Sequence, residues 1–348
     1  MVGSLSSRPA RTHVFIIDGT LSRFEEGRET NAGLLFRLLR DQGPLKHQTF
    51  GYDPGVQGMG LTKWLDVAMG KGINDSILNG YATLASRYRP GDRIMLFGYS
   101  RGAYAARSLA GFIGRVGLLD QEHATESKTV QAFRHYETAK LTQAGRKFAN
   151  SYCHADVPIE MIGIWDTVRA LGLPYPFLSR LAPMATSFHN HELGHTIRNG
   201  FHALALDEDR VAYEPVVWEK AEGWAGRMEQ VWFAGAHADI GGNIWEKPEA
   251  RPLANIPFRW ITEHAEDCGL DLPIGWRGKF PTDSTAPALG SHFGNGRLFR
   301  TRQPRRIGTG FGEYIHDSVA VRTQNLPGYF PLARLADTTE NAAGAALA

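Results

Sequence analysis

The sequence predicts an α/β protein with a mostly parallel central sheet, helices on both faces of that sheet and insertions that form a cap. Short apolar segments rich in β-branched residues alternate with segments of helical periodicity through the first half of the chain. Strands that alternate with helices favour a parallel sheet covered on both sides. One such strand, Arg93 to Tyr99, runs into a serine flanked by glycines, and a small-residue helix follows from Arg101 to Val116.

The earlier elements follow the same alternation. His13 to Ile17 predicts the first strand and Thr49 to Tyr52 the second, while Thr30 or Asn31 can cap a helix between them. Residues 72–88 predict another helix, ended by Pro90-Gly91. Helical spacing is seen for Leu34, Leu35, Leu38 and Leu39 in the first helix and for Ile73, Ile77, Tyr81 and Leu84 in the second.

The second half of the chain is less regular. Ile159 to Trp165 and Gln230 to Phe233 predict buried strands, and Leu253 to Asp267 predicts an amphipathic helix. Residues 171–200 are apolar but aperiodic, which indicates a cap insertion, and residues 271–312 indicate a long irregular surface segment. We therefore expect a tail over residues 1–11, one catalytic domain over 12–335 and a loose tail over 336–348.

Composition excludes several classes of function. The 348 residues carry 38 Lys plus Arg and 36 Asp plus Glu, so no excess charge indicates a nucleic-acid partner. The first apolar run, Val14 to Ile17, is too short for a signal peptide, and no run approaches the roughly 18 residues of a membrane span. Cys153 and Cys268 lie far apart and lack metal-ligand spacing. We expect a cytoplasmic protein without a metal ion or organic cofactor.

The strongest motif is Gly98-Tyr99-Ser100-Arg101-Gly102, which has the Gly-x-Ser-x-Gly pattern. A serine at a sharp strand-to-helix turn adopts a strained backbone and projects its hydroxyl away from the sheet. Side chains two residues to either side would collide in such a turn, which explains Gly98 and Gly102. An apolar strand before the motif and an alanine-rich helix after it favour a nucleophile elbow of the α/β-hydrolase type over a plain turn.

An acid and then a base should follow the nucleophile in this fold. Asp166 comes directly after the predicted strand Ile159 to Trp165, although it could also be a turn or cap residue. His237 follows another strand in a glycine-rich loop, where an imidazole can take and return a proton. Asp239 is a rival acid that more plausibly orients the loop. The competing histidines are His202, expected on a helix, His292 in the irregular segment and His316.

The oxyanion hole should combine the amide of Arg101 with an amide from the loop after the first strand. Asp18-Gly19-Thr20 occupies that loop, so Gly19 or Thr20 could donate the second hydrogen bond, with Asp18 in a supporting role. The same tripeptide occurs in phosphotransferases of the haloacid-dehalogenase type, as Asp-x-Asp-Gly-Thr. Their nucleophilic aspartate corresponds to Ile16 here, which argues against that chemistry.

Six segments recur together in one known family: Ile17–Thr20, Tyr52–Gly55, Phe97–Tyr104, Trp165–Val168, His202–Glu208 and Val231–Gly242. In this set and order, from about residue 12 to 325, the chain resembles the catalytic domain of type VI secretion phospholipase effectors of the first lipase class and related bacterial α/β-hydrolases. The resemblance implies an α/β-hydrolase fold and a triad of Ser100, Asp166 and His237. Such effectors typically carry a further membrane-associating region, for which 348 residues leave little room.

Together these patterns predict a serine esterase or lipase that works through an acyl-enzyme on an acyl ester or a phospholipid. The resemblance adds delivery by a secretion apparatus as an expectation. Two alternatives stay open at this point. One is a binding module that kept the fold but lost turnover, and the other is an acyltransferase that passes the acyl group to an alcohol instead of water.

Overall fold

A computed structural model describes residues 8–20, 22, 24–55, 71–138, 140–168 and 193–336. Within these ranges a seven-stranded sheet has the order β10-β8-β7-β6-β3-β1-β2, and every pair of neighbours is parallel. Its strands are β1 (Thr12–Ile17), β2 (Gln48–Asp53), β3 (Arg93–Tyr99), β6 (Ile159–Trp165), β7 (Ile197–Ala205), β8 (Arg227–Phe233) and β10 (Glu313–Ile315). The predicted α/β class is therefore confirmed.

Helices cover both faces of this sheet. They are α1 (Asn31–Gln42), α2 (Lys71–Ala85), α3 (Arg101–Val116), α4 (Glu126–Tyr136), α5 (Gln143–Tyr152), α6 (His237–Gly241), α7 (Arg251–Asp267) and α8 (Asp317–Asn325). Neighbouring residues of β1 point to opposite faces, as the pleat requires. Phe15 and Ile17 join a core with α2, α3 and α4, whereas Val14 and Ile16 join a core with α1 and α7.

The sheet has a topological switch point between β1 and β3. From β1 the chain crosses to β2 through α1 on one face, and the elements after β3 are added on the opposite side of β1. In open parallel sheets, ligands bind at the carboxyl ends of the strands beside such a switch point. Ser100 follows β3 at this switch point, and Asp18-Gly19-Thr20 follows β1 beside it.

Most predicted elements agree with the structure to within a few residues. β3, α3 and β6 begin and end as predicted, and Thr30 is the cap of α1, since its hydroxyl oxygen accepts the amide of Gly33 at 3.0 Å. The helix predicted over residues 72–88 ends earlier, at Ala85, and Leu84 accepts the amide of Tyr88 in the turn that follows. The helices α4 and α5 were not predicted.

Two predictions about the centre of the chain are wrong. His202 lies on β7 and not on a helix, and the last residues of the predicted 171–200 cap, from Ile197, are the start of that same strand. Most of the predicted cap lies outside the described residues. β7 has paired strands on both sides, β6 and β8, so the tertiary environment sets its conformation.

The region predicted as an irregular surface segment is mostly turns, but it returns to the sheet. Its short strand β9 (Arg306–Ile307) pairs with β11 (Arg334–Leu335), and β10 then joins the edge of the main sheet. The remaining short pair is β4 (Leu118–Leu119) with β5 (Cys153–His154).

At the other end of the chain, Arg8 forms an ion pair with the buried carboxylate of Asp92 at 2.5 Å. In the described part of the chain, no helix is long and apolar enough to cross a membrane.

Candidate active site

Ser100 lies in a strained turn between β3 and α3. Its backbone has φ 57° and ψ −121°, a conformation that L-residues rarely adopt. A Cβ on Gly98 would lie 2.5 Å from the carbonyl oxygen of Gly102. A Cβ on Gly102 would collide with the carbonyl oxygens of Ile17 and Asp18. Both glycines of the motif are thus required by close packing, and the turn lies directly against the loop after β1.

The structure brings the three predicted triad residues into one hydrogen-bonded chain. Nε2 of His237 lies 2.9 Å from Oγ of Ser100, and Nδ1 lies 2.6 Å from Oδ2 of Asp166. All three residues are buried and follow the carboxyl ends of β3, β6 and β8. An ionised carboxylate only accepts hydrogen bonds, so Nδ1 carries the proton and Nε2 is free to accept from the serine hydroxyl. This is the tautomer that a general base requires.

His237 does not lie in a loop, as the glycine-rich sequence indicated, but is the first residue of the short helix α6. Asp239, two residues later, contacts backbone and not the imidazole. Its carboxylate accepts the amides of Ala236 at 2.8 Å, Leu289 at 2.6 Å and Gly290 at 3.1 Å. Asp239 thereby ties the turn before His237 to the segment around residue 290.

Burial sets the protonation state of the base. Desolvation lowers the pKa of His237 below its ordinary value, and the opposing effect of Asp166 is smaller. For Asp166, burial would raise the pKa, but the guanidinium of Arg305 and the hydrogen bond from His237 outweigh burial and hold the pKa well below its ordinary range. At neutral pH the site therefore pairs a neutral imidazole with an ionised carboxylate.

Arg305 contacts this site directly, and the sequence analysis did not single it out. Its Nη1 lies 2.6 Å from Oδ1 of Asp166 and its Nη2 lies 2.9 Å from Oδ2, so the guanidinium is bidentate on the triad acid. It also donates to the carbonyl oxygens of Ala205 and Tyr213 and is only 6% exposed. No local pattern pointed to it, because it is one of several arginines in a turn-rich segment 139 residues after Asp166.

Two aromatic rings lie beside the imidazole, and a second ion pair binds the backbone of His237. The ring centroids of Tyr99 and Tyr213 lie 5.0 and 4.8 Å from that of His237. Glu208 accepts the backbone amide of His237 at 3.2 Å and binds Arg210 through both oxygens, at 2.8 and 2.6 Å. Arg210 in turn lies 3.8 Å above the Tyr213 ring. Glu208 belongs to the recurring segment His202–Glu208, which was the signal that could have identified it.

The loop after β1 is organised by Asp18. This buried carboxylate accepts four neutral donors, which are the Gly19 amide at 2.6 Å and the hydroxyls of Ser22, Thr30 and Tyr52. The Gly19 amide is therefore engaged by Asp18, which disfavours it as an oxyanion donor. Thr20 is the remaining candidate, and its buried hydroxyl has no hydrogen-bond partner within the described ranges. The Arg101 amide is the first of α3, adjacent to Ser100.

The other candidate histidines lie elsewhere. His202 accepts the Thr167 amide through Nε2 at 3.1 Å, and burial lowers its pKa to about 3. His316 caps α8 and stacks on Phe233. His292 is mostly exposed, 3.7 Å from Asp209. Among the four candidate histidines, His237 is the one that lies within hydrogen-bond distance of Ser100.

Comparison with protein-family models identifies a family for this chain. The family model described as type VI secretion system, phospholipase effector Tle1-like, catalytic domain, matches residues 11–264, well over half of the chain. An uncharacterised protein of Saccharomyces cerevisiae is 29% identical over an alignment of 236 residues, which covers 60% of this chain and 32% of that protein.

Two solved structures are also similar. An uncharacterised protein from Pseudomonas aeruginosa is 15% identical with a TM-score of 0.42, covering 79% of this chain and 50% of that one. The Tle1 effector, solved bound to the VgrG spike of the type 6 secretion system, is 19% identical with a TM-score of 0.36, covering 68% of this chain and 52% of that one. The chain thus spans between a third and about half of the length of these relatives.

Proposed function

The chain belongs to the family of type VI secretion phospholipase effector Tle1-like catalytic domains, and from this premise we propose that it is a serine hydrolase of lipid carboxylic esters. Ser100 is the nucleophile, His237 the general base and Asp166 the residue that orients the base. The observation that carries the proposal is the continuous hydrogen-bond chain from Asp166 through His237 to Ser100, with links of 2.6 and 2.9 Å.

In the first half of the cycle, Oγ of Ser100 attacks the ester carbonyl carbon while Nε2 of His237 takes the hydroxyl proton. The carbonyl oxygen becomes an oxyanion, which accepts hydrogen bonds from the Arg101 amide and from Thr20. The intermediate then collapses, the carbon–oxygen bond to the leaving alcohol breaks, and His237 returns the proton to that oxygen. The products of this half are a free alcohol and an acyl group on Ser100.

In the second half, water replaces the alcohol. His237 takes a proton from water as the water oxygen attacks the acyl carbon, and the bond from that carbon to Oγ of Ser100 then breaks. The proton passes from His237 to Oγ, which restores the serine and releases a carboxylic acid. Asp166 stays ionised throughout, because Arg305 offsets its charge.

The substrate and the route of delivery are part of the same proposal. A phospholipid or a related lipid ester is the substrate that the family description favours, and the family also supports delivery by a secretion apparatus. The apolar residues predicted for the cap fit an acyl chain, because each methylene removed from water contributes about 0.8 kcal/mol.

The direct test combines a fluorophosphonate probe with Ser100→Ala. We expect the probe to label the wild type at Ser100, and the variant to lose labelling and several orders of magnitude of turnover on short-chain p-nitrophenyl esters, because a triad acts as a unit. A folded variant that keeps more than a tenth of wild-type activity would exclude Ser100 as nucleophile. Absence of labelling and of turnover in the wild type would favour a binding module, and transfer to added alcohols would favour an acyltransferase.

A further inference from the structure

Tyr99 is the last residue of β3 and directly precedes Ser100. Its side chain is 3% exposed and belongs to the core on the α1 and α7 face of the sheet. One edge of its ring faces Gly19, where an added Cβ would lie 2.8 Å from Cδ1 of Tyr99. The opposite edge faces Gly241, where an added Cβ would overlap the ring. The ring therefore lies between the loop after β1 and the helix α6.

Tyr99 also contacts the proposed base in two ways. Its hydroxyl donates a hydrogen bond to the backbone carbonyl oxygen of His237 at 3.3 Å. Its ring centroid lies 5.0 Å from that of the imidazole, with 31° between the two ring planes. The helix α6 begins at His237 and has only five residues, so it is too short to be stable through its own hydrogen bonds. Side chains from other elements must therefore fix its position.

Other side chains hold the two ends of α6. Glu208 accepts its first amide at 3.2 Å, and Asn31 and Arg251 donate to carbonyl oxygens at its carboxyl end, at 2.8 and 2.6 Å. These three residues come from the loop after β7 and from the first residues of α1 and α7. Among these contacts, that of Tyr99 comes from the residue next to the nucleophile. A change in the Tyr99 side chain therefore acts directly on the distance between Ser100 and α6.

We propose that Tyr99 is a positioning residue, which sets the separation of Ser100, His237 and the loop after β1. The inference rests on the proposed ester hydrolysis, because that reaction requires these three groups at fixed distances from one another. The ring is the spacer between the loop and α6, and the hydroxyl holds α6 against the ring. Because the side chain is buried beneath these segments, it acts through them and not on the substrate.

The first test measures kcat and KM on p-nitrophenyl butyrate for two variants of Tyr99. Tyr99→Phe keeps the ring and loses the hydroxyl, and we expect kcat to fall by about 2- to 10-fold, the range for one neutral hydrogen bond. Tyr99→Leu also loses the spacer, and kcat should fall by about 100-fold, as for a 1 Å shift of reacting groups. KM should change little in both variants, because positioning of the reacting groups matters mainly in the transition state.

The matched control is Tyr81→Phe. The hydroxyl of Tyr81 donates to the carbonyl oxygen of Gly117 at 2.9 Å, and the side chain is fully buried in the core on the opposite face of the sheet. Tyr81→Phe therefore also loses a buried bond from a hydroxyl to a backbone carbonyl. It should lower the melting temperature without changing kcat, which separates positioning from stability.

A second test uses the contact between the ring and Gly241. Gly241→Ala should lower kcat strongly, because the new methyl group must push α6 away from the ring. In the double variant with Tyr99→Leu, the same methyl group meets a smaller side chain. The double variant should therefore lose much less than the product of the two single losses. The rate of fluorophosphonate labelling of Ser100 should follow the same order in the four proteins.

Three results would overturn this role. They are a wild-type kcat in Tyr99→Phe, an equal fall of kcat in Tyr81→Phe, and single losses that multiply in the double variant. If Tyr99→Leu does not fold, the comparison of Tyr99→Phe with Tyr81→Phe still decides. Wild-type turnover and labelling, and their loss in Ser100→Ala, test the proposed function separately, so the three results concern Tyr99 alone.

Discussion

Arg305 binds both carboxylate oxygens of Asp166, 139 residues earlier in the chain, through two guanidinium nitrogens at 2.6 and 2.9 Å. Asp166, whose carboxylate accepts the Nδ1 proton of His237, is thus itself held through both oxygens by a second side chain. Since both groups are buried, each compensates a charge that would otherwise be costly to bury.

Arg305→Met should impair both stability and catalysis. Breaking a buried ion pair by removing one partner typically costs about 3–5 kcal/mol, so the melting temperature should fall. In the remaining folded protein, the charge of Asp166 acts on His237 without compensation, which raises the imidazole pKa. The acidic limb of the kcat/KM profile should then move to higher pH, and its position in Arg305→Met and wild type is the measurement.

Two further variants separate positioning from stability alone. Arg305→Lys keeps the charge and should restore part of the activity and most of the pH profile. The double variant Asp166→Asn with Arg305→Met removes both charges and should recover stability without recovering turnover. An acidic limb that stays at its wild-type position in Arg305→Met would show that Arg305 serves stability only.

The pH dependence of the wild type follows from His237. Burial lowers its pKa from the ordinary value of 6.5, so the neutral, proton-accepting form persists to lower pH. Activity should be full above that lowered pKa and fall as the pH drops through it, with the acidic limb below pH 6.5. A kcat/KM profile on a neutral ester checks this, since the charge of the ester does not change with pH.

His237→Ala should abolish activity, whereas His292→Ala and His316→Ala should not, and the opposite pattern would reject His237 as the base.

Gly102→Ala should disable the site although alanine favours helices. The added Cβ would collide with the carbonyl oxygens of Ile17 and Asp18, so the turn at Ser100 and the loop after β1 must move apart. Such overpacking costs about 1–3 kcal/mol, and a shift of 1 Å at reacting groups can cost about 100-fold in rate. The control is Gly278→Ala, where an added Cβ meets no atom within 4 Å. Similar turnover in both variants would contradict the packing argument.

The predicted cap, Leu171 to Gly200, lies mostly outside the described residues, and its role stays a prediction from sequence. We expect its apolar side chains to bind the acyl chain of the substrate. Cutting Phe177 or Phe188 to Ala should therefore shift the optimum in a series of esters of rising chain length. Unchanged chain-length profiles in well-folded variants would instead indicate a surface segment that does not contact the substrate.

Strands and turns that are determined by their own residues could be predicted from sequence. β3 and β6 are short apolar runs ended by the residues that form the site, and the glycines at 98 and 102 reveal the turn at Ser100. β7 could not be predicted in this way. After Ile197 it continues with two polar residues and a glycine and ends in Ala203-Leu204-Ala205, and it is a strand because β6 and β8 pair with it.

Interactions that depend on residues distant in sequence could not be predicted either. The engagement of the Gly19 amide by Asp18 is a hydrogen bond between adjacent residues, but its geometry depends on Thr30 and Tyr52, which fix the carboxylate. Arg305 lies among several other arginines, and nothing in the sequence indicates which carboxylate each of them binds. The structure was needed to identify Arg305 as the partner of Asp166. Ser100, Asp166 and His237 were easier to single out as candidates, because Ser100 and Asp166 directly follow a strand and His237 comes after a short turn beyond β8.

The distance in sequence between Arg305 and Asp166 has a consequence for folding. A contact that closes a loop of this length forms only after much of the backbone entropy between its ends has been lost. The strands β1, β3 and β6 are all synthesised well before the cation that neutralises Asp166. Catalytic competence should be among the last properties to appear during refolding, later than the far-ultraviolet circular dichroism of the sheet and helices.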